Sequence, residues 1–420
     1  MHRDGKRLRG AASDQRPRVR PTFRDGRFLA LTVGEAVNAI GSWASAIALW
    51  GFAAYRFNAS PGQVSLLIIC WSAPVAVLSP LLGVLVDRLG ARRALIVAYL
   101  GGAGSALGMA AAGSLPVLAA LALAAGGARA LAAPAAGALP PQIVEPEDLF
   151  AANSLLGGAG QFGQVLGPLV ASAALALSGF RAAFLVDAAT FAVGVGVLFA
   201  LPARRLPPKA RASWHREFVE GFRVVWAEPR LRLVILVAAA VSFTSGAFLV
   251  VEPLYARHVL HRPPSQFALF EAAAGVGAIL AGFVMPRFER VLERRFSLGL
   301  AAVAYGLAAC LFVGTVHFAV AYTGAFLWGV AGMVFGVLAW TTIQRLAAEE
   351  THGRVFALDS AAQAIAETAG LAVAGVALAG LGVQLGAVVL ATVAVCGGVA
   401  CLLNEIRPET FRPDTPGPAP

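Results

Sequence analysis

Apolar residues run along this chain in long unbroken blocks, each ended by a short cluster of charge, glycine or proline. A helix needs about 20 mostly apolar residues to cross roughly 30 Å of hydrocarbon, because lipid offers no partner to a bare backbone group. Twelve blocks meet that length. They run Phe28 to Ala53, Val64 to Val86, Ala94 to Ala112, Leu115 to Leu139, Ser154 to Leu177 and Ala182 to Leu201, then Leu233 to Tyr255, Phe267 to Met285, Phe296 to Val316, Ala319 to Trp340, Val355 to Leu378 and Gly382 to Leu403. The pattern predicts an all-α integral membrane protein of twelve transmembrane helices. One long polar interior stretch, Ala203 to Arg232, parts the blocks six and six. The expected organisation is a basic arm (1–27), a six-helix bundle (28–202), a linker (203–230), a second six-helix bundle (231–404) and a tail (405–420). Within the linker, from Ser213 onward, Phe218, Phe222, Val225 and Trp226 share one side while Arg and Glu take the rest, which predicts an amphipathic helix on the membrane surface.

Composition agrees: 58% of residues are hydrophobic and 13% charged, too oily for a solvated globular surface. The net charge of +10 would suit nucleic acid, but the position of the charge argues otherwise. Of the 33 basic residues, only Arg56, Arg181, Arg257 and Arg262 fall in loops opposite the termini, and Arg129 and Arg232 lie in or beside spans. Retained loops carry the excess of Lys and Arg, so both termini are expected in the cytoplasm and the protein in the cytoplasmic membrane. The loop Pro140 to Asn153 is an exception, with Glu145, Glu147 and Asp148 and no basic residue, but acidic residues have little influence on orientation. The arm MHRDGKRLRGAASDQRPRVRPTFRDGR has no apolar core before a cleavage site, so it reads as a solvated arm at an anionic leaflet and not as a signal peptide. Cys70, Cys310, Cys396 and Cys401 sit in apolar spans without CxxC spacing, which implies no metal, cofactor or disulfide. The six histidines are scattered in loops or at span ends, and neither HExxH, GxSxG nor GxxxxGK[ST] occurs, which argues against an enzyme or an ATP-driven pump.

The halves echo each other. Gly83-x-x-x-Asp87-Arg88 recurs as Gly282-x-x-x-Pro286-Arg287, after the second span of each half, and the second copy has lost its acidic residue. A parallel repeat of this kind places a substrate site at the midplane between halves. The full first copy, Gly83-Val-Leu-Val-Asp87-Arg88-Leu-Gly90-Ala-Arg92-Arg93, resembles the signature loop of the major facilitator superfamily, G-x-x-x-D-R-x-G-x-R-R, between spans two and three. The resemblance implies two pseudo-symmetric six-helix bundles and a cytoplasmic latch in which Asp87 meets span eleven. A second stretch, GQVLGPLVAS from Gly163 to Ser172, resembles the family's antiporter motif through Gly163, Gly167 and Pro168, with Ala171 and Ser172 in place of the final glycine pair. In the family that motif tracks exporters. The segments Ala138 to Pro168 and His352 to Glu367 look like those of the exporter branch that includes enterobactin and macrolide efflux proteins.

An ionisable side chain deep in a span is costly unless it meets a partner or water, so each is a functional candidate. Glu35 in span one and Arg129 in span four lie at similar depth, with Asn38 a turn beyond Glu35. The resemblance implies that spans one and four line a cavity. On that reading Glu35 faces Arg129 and either exchanges a proton or meets a cationic substrate; a static ion pair between helices is the other reading. Glu367 lies near mid-membrane in span eleven, where titration and a packing bond are both open. Asp187, Glu252 and Glu271 lie toward the outer ends of their spans, where solvated or paired charges are expected. Gln161 and Gln164 suggest bonds between helices or polar positions in the cavity, and the aromatic residues Trp43, Phe243, Phe248, Phe326, Trp328 and Trp340 suggest packing more than ligand contact. The expected activity is proton-coupled efflux of a small amphipathic compound, a drug or siderophore, by a monomeric antiporter through alternating access. An importer or facilitator on the same fold, and a non-transporting membrane sensor, are the alternatives.

Overall fold

The computed structural model describes residues 26–145, 148–201, 222–288, 296–348 and 351–406, with Leu292 and Arg294. The arm through residue 25, most of the proposed linker helix and the tail from 407 lie outside the described residues. Twelve long helices are present among those described. They are α1 (Gly26–Gly51), α2 (Pro61–Leu89), α3 (Ala91–Ala111), α4 (Leu115–Ala138), α5 (Leu149–Ser178), α6 (Phe180–Ala200), α7 (Pro229–His258), α8 (Pro264–Val284), α9 (Ser297–Val313), α10 (Phe318–Leu346), α11 (His352–Leu381) and α12 (Val383–Ile406). Eleven helices are long and apolar enough to cross a bilayer on their own, while α9 forms 17 helical residues. Exposed apolar side chains such as Leu81, Leu177, Leu236 and Val376 supply the surface that a bilayer covers.

Local chemistry sets several helix boundaries. Ser60 and Gln63 cap α2 reciprocally, side chain to backbone in both directions, with Pro61 at the first helical position. Single residues join α5 to α6 and α11 to α12: Gly179 at φ 75° and Gly382 at φ 80°. A side chain is strained in that left-handed region, so matching glycines turn the chain at matching places in the two halves. A short π-helical turn, Phe52–Arg56, extends α1 toward the end of the molecule away from the termini.

Within the first six helices, α1 packs on α5 and α6, α2 on α4, and α3 on α4 and α6. The second six repeat the scheme, with α7 on α11 and α12, α8 on α10, and α9 on α10 and α12. The two sets meet chiefly through α2 with α11 and α5 with α8. Burial shows where they are joined. One core draws on both sets at the end away from the termini, including Ile47, Trp50, Ile68, Phe184, Phe248 and Phe267. Two further cores lie toward the termini and each belongs to one set, the first around Leu31, Leu95 and Leu131, the second around Leu231, Tyr305 and Ile343. Three hydrogen bonds that cross between the sets also lie at the far end. The Ser65 hydroxyl donates to the Leu371 carbonyl at 2.6 Å, Ser172 to Ser265 at 3.0 Å and Tyr55 to Arg262 at 2.9 Å. The halves are therefore clasped at the far end, with separate cores on the side of the termini.

Candidate functional site

The loop between α2 and α3 makes a tight turn at Gly90, φ 85°. Gly83 is buried, while Asp87 and Arg88 stand exposed at the end of α2. Arg92 reaches across to the end of α6, its Nε donating to the Leu198 carbonyl at 2.7 Å and Nη2 to Phe199 at 2.9 Å. A cation thus covers carbonyls that the helix end leaves open. On α5, Gly163 and Gly167 press against α1. A Cβ at Gly163 would strike Ala39, and one at Gly167 would strike Trp43 and approach the Ile40 carbonyl at 3.1 Å. Pro168 lies inside the helix, and Ser172 makes the bond to Ser265 across the halves.

Glu35 and Arg129 do not form the expected pair. The Tyr99 hydroxyl of α3 donates to Glu35 Oε1, and Tyr99 is itself 3% exposed, packed against Gly194 and beside Phe191. Asn38 lies near the same tyrosine, and its Oδ1 is buried without a partner. Equal depth does not place two side chains on facing sides: each residue turns the helix by about 100°, and Glu35 points into its own half.

Arg129 instead lies over the Trp71 ring of α2, 3.7 Å from its centroid. Gly126, one turn earlier on α4, permits this approach, since a Cβ there would meet the Trp71 carbonyl at 2.6 Å. The guanidinium interacts with two carboxylates, Asp187 of α6 and Glu367 of α11, and its Nη1 is buried with no hydrogen-bond partner. Asp187 accepts a hydrogen bond from Ser42 at 3.3 Å and lies beside Ser45, both on α1. Glu367 is exposed, its backbone packed against Gly246 of α7. The site thus combines an arginine and an aspartate of the first half with a glutamate of the second.

Of the solvated and paired readings for the acids near the outer ends, Asp187 follows the paired one, beside Arg129, and neither Asp187 nor Glu252 is solvated. They are 5% and 1% exposed, because the shared far-end core covers the region where water was expected. Gln161 and Gln164 are exposed on α5 rather than bonded to a neighbouring helix. Among the aromatics, Trp328 stacks on Phe248 at 5.4 Å and Trp340 on Phe356 at 4.1 Å, while Trp43 and Phe243 pack against the shared core. Trp71, Tyr99, Ser42 and Ser45 were absent from the sequence-derived site. A tyrosine inside an apolar span was an available signal, since a buried phenol needs a hydrogen-bond partner.

Comparison with known proteins places this architecture. The family model described as Major Facilitator Superfamily matches residues 31–370. The chain is 23% identical over 409 residues to the uncharacterized MFS-type transporter YfiS of Bacillus subtilis, covering 94% of this chain and 97% of that protein. It is 25% identical over 280 residues to the enterobactin exporter EntS of Escherichia coli O1:K1, covering 66% of each. Among solved structures, an inward-facing bacterial homologue of the human lysosomal transporter Spinster superposes with TM-score 0.73 at 17% identity, over 93% of this chain and 98% of the other. An inward-facing bacterial homologue of the iron transporter ferroportin gives 0.71 at 16% identity, over 92% and 100%. These likenesses establish the fold, and the family match across most of the chain establishes descent: this is an integral membrane transporter of the major facilitator superfamily.

Proposed function

We propose that the protein is a proton-coupled exporter of a small amphipathic compound, working by alternating access in the cytoplasmic membrane with both termini in the cytoplasm. The observation that carries this reading is Arg129, stacked on Trp71 with an unpartnered buried Nη1 and carboxylates of both halves around it. Such a side chain needs a further partner, and a substrate entering between the halves supplies one. Glu367 is the exposed carboxylate in reach of that charge, so a proton and a cationic or polar substrate compete for it. Glu35, with Asn38 and Tyr99, forms a second acidic position within the first half. With the far end clasped and the terminal ends built on separate cores, this is the state that takes substrate from the cytoplasm. The Gly163, Gly167 and Pro168 stretch and the likeness to EntS favour export over import. On the same reading Gly83, Asp87, Arg88, Gly90, Arg92 and Arg93 latch the terminal side when the far end opens. The unit acts as a monomer, since each chain carries both halves of the site.

The test is efflux from proteoliposomes, using a panel of lipophilic cations, siderophore-like and macrolide-like compounds, with and without an imposed pH gradient. Gradient-driven export that is lost in Glu367→Gln is expected, with Glu35→Gln as the comparison. Movement in the import direction under the same gradient, or full transport in both variants, overturns the reading.

A further inference from the structure

The second half holds a cavity of about 570 Å³ that belongs neither to the arginine site nor to the far-end core. It lies at the end of the molecule that carries the termini, among α7, α9, α10, α12 and the turn after α8. Arg230 at the start of α7, Arg294 before α9 and Arg345 at the end of α10 stand exposed around its mouth. Glu405 of α12 is the one carboxylate among the described lining residues, so guanidiniums outnumber carboxylates there three to one. Below that rim the walls turn apolar. Val234, Leu338 and Cys401 lie about 8–12 Å in from their helix ends on the ~1.5 Å rise per residue. Thr341 and Thr342 leave this unchanged, since each hydroxyl donates within its own helix, at 2.7 Å to Val337 and 2.6 Å to Leu338. Val337 and Thr341 also line a second groove of about 400 Å³, which follows α10 to Gly336 and Gly332. A Cβ at Gly336 would meet nothing within 4 Å, so this groove has room along its floor.

The matching place in the first half is filled by the chain itself. Val86 and Met285 hold the same position in the two copies of the repeat, yet Val86 packs with Leu139 and Leu198 in a core, while Met285 lines the cavity. Arg92 completes the first half's closure by covering the carbonyls at the end of α6. Arg294, from the basic pair after the second copy, lines the cavity instead. Apolar wall left to water is unfavourable, so an occupant that covers it is favoured. Guanidiniums above an apolar floor, at the level where the helices leave the hydrocarbon, suit a ligand with an anionic head and an apolar tail. A free anion would leave the floor uncovered, and a zwitterionic headgroup would bring its own cation among the arginines.

We propose that this cavity binds one anionic phospholipid from the leaflet on the side of the termini. The phosphate sits among Arg230, Arg294 and Arg345, and an acyl chain covers the apolar floor and follows the groove along α10. Lipid held there joins the ends of α7, α9 and α10 to the turn after α8, a junction that the first half makes with its own side chains. The site is separate from the proposed substrate site and takes a component of the bilayer, not the cargo.

The experiment uses the full chain, purified in neutral detergent and stripped of lipid, with native mass spectrometry as the readout. Phosphatidylglycerol, phosphatidylcholine with the same chains, and inorganic phosphate are added in turn. One phosphatidylglycerol per chain is expected to stay bound, about ten-fold more tightly than phosphatidylcholine, and inorganic phosphate is expected not to displace it. Arg294→Gln and Arg345→Gln, tested separately, are each expected to weaken binding by about five-fold or more. Arg223→Gln, at an exposed arginine of the same end outside the cavity, is expected to leave binding in place. Equal retention of the two lipids, displacement by inorganic phosphate, or an equal loss in Arg223→Gln overturns the proposal. A second readout needs no variant: phosphatidylglycerol with a diazirine in its acyl chain is photolysed in the complex and the labelled residues are mapped. Labels between Gly332 and Thr341, or at Leu298 or Cys401, support the site, and labels confined to other segments overturn it. No transport is measured, so failure of this proposal and failure of the exporter reading are distinguishable.

Discussion

Arg129, partly buried with its Nη1 fully so, shows what a single cation inside the spans is worth in this fold. Removing it leaves Asp187 without its counter-charge, so Arg129→Ala is expected to cost about 3–5 kcal/mol and sharply lower the yield or melting temperature of purified protein. Arg129→Lys keeps the charge but loses the planar stack on Trp71, a contact worth about 2 kcal/mol when desolvated. That variant is expected to recover most of the stability while reducing substrate affinity more than ten-fold, measured by binding to the purified protein. Tyr99→Phe removes the donor to Glu35 and leaves a half-buried carboxylate short of a partner, at a cost of about 1–3 kcal/mol by thermal melting. The sequence disclosed that Glu35, Arg129 and Glu367 were exceptional, because charge in an apolar block is visible in one dimension. It did not disclose their partners. Those depend on helix rotation and on residues such as Trp71 and Ser42, whose types are ordinary in a membrane span. The tyrosines were the neglected clue: Tyr55, Tyr99, Tyr255, Tyr305 and Tyr322 each hydrogen-bond to another segment of the chain.

At the scale of the element, helices were legible because lipid leaves the backbone no alternative. Each predicted block corresponds to a helix, with most ends extended by a few residues of polar or small composition, as where Pro61 and Ser60 begin α2 before the apolar run at Val64. The glycine motifs were legible as close-packing sites, and the structure supplies the identity of the opposing helix. The structural part of the α2–α3 loop is the span of Arg92 to the end of α6. Arg92→Ala removes two charge-assisted bonds at a half-exposed site and is expected to cost about 1–2 kcal/mol, seen as a lower melting temperature with helical content retained. Gly246 tests packing between α7 and α11. Its Cα faces the Glu367 backbone so closely that Gly246→Val must move one of the two helices, and loss of stable protein is expected in detergent-solution melting.

At the scale of the whole molecule, the two halves share one core at the far end, while on the terminal side the described residues form a separate core in each half. A covalent clasp at the far end should therefore arrest the transport cycle. A Cβ at Gly375 would lie 3.1 Å from that of Ser65, a few tenths of an ångström inside the range of about 3.5–4.5 Å that a disulfide spans, so the pair Ser65→Cys and Gly375→Cys is expected to cross-link once α2 and α11 ease apart by that amount. Transport is expected to stop on oxidation and return with reductant, measured in the same liposome flux assay. Which end was clasped was not legible in the sequence, since apolar blocks look alike whether they face lipid, their own half or the other half. The arrangement of cores also bears on biosynthesis. The core around Leu31, Leu95 and Leu131 uses only residues of the first six helices, so it can close while the ribosome is still making the second half. The shared core cannot close fully until α12 has been inserted, because Leu371 and Leu378 of α11 and Leu390 of α12 are part of it. A nascent chain would thus pass through a stage with one finished half and an apolar face awaiting its partner, and that unfinished face, more than any single helix, is where assembly in the membrane would be most vulnerable.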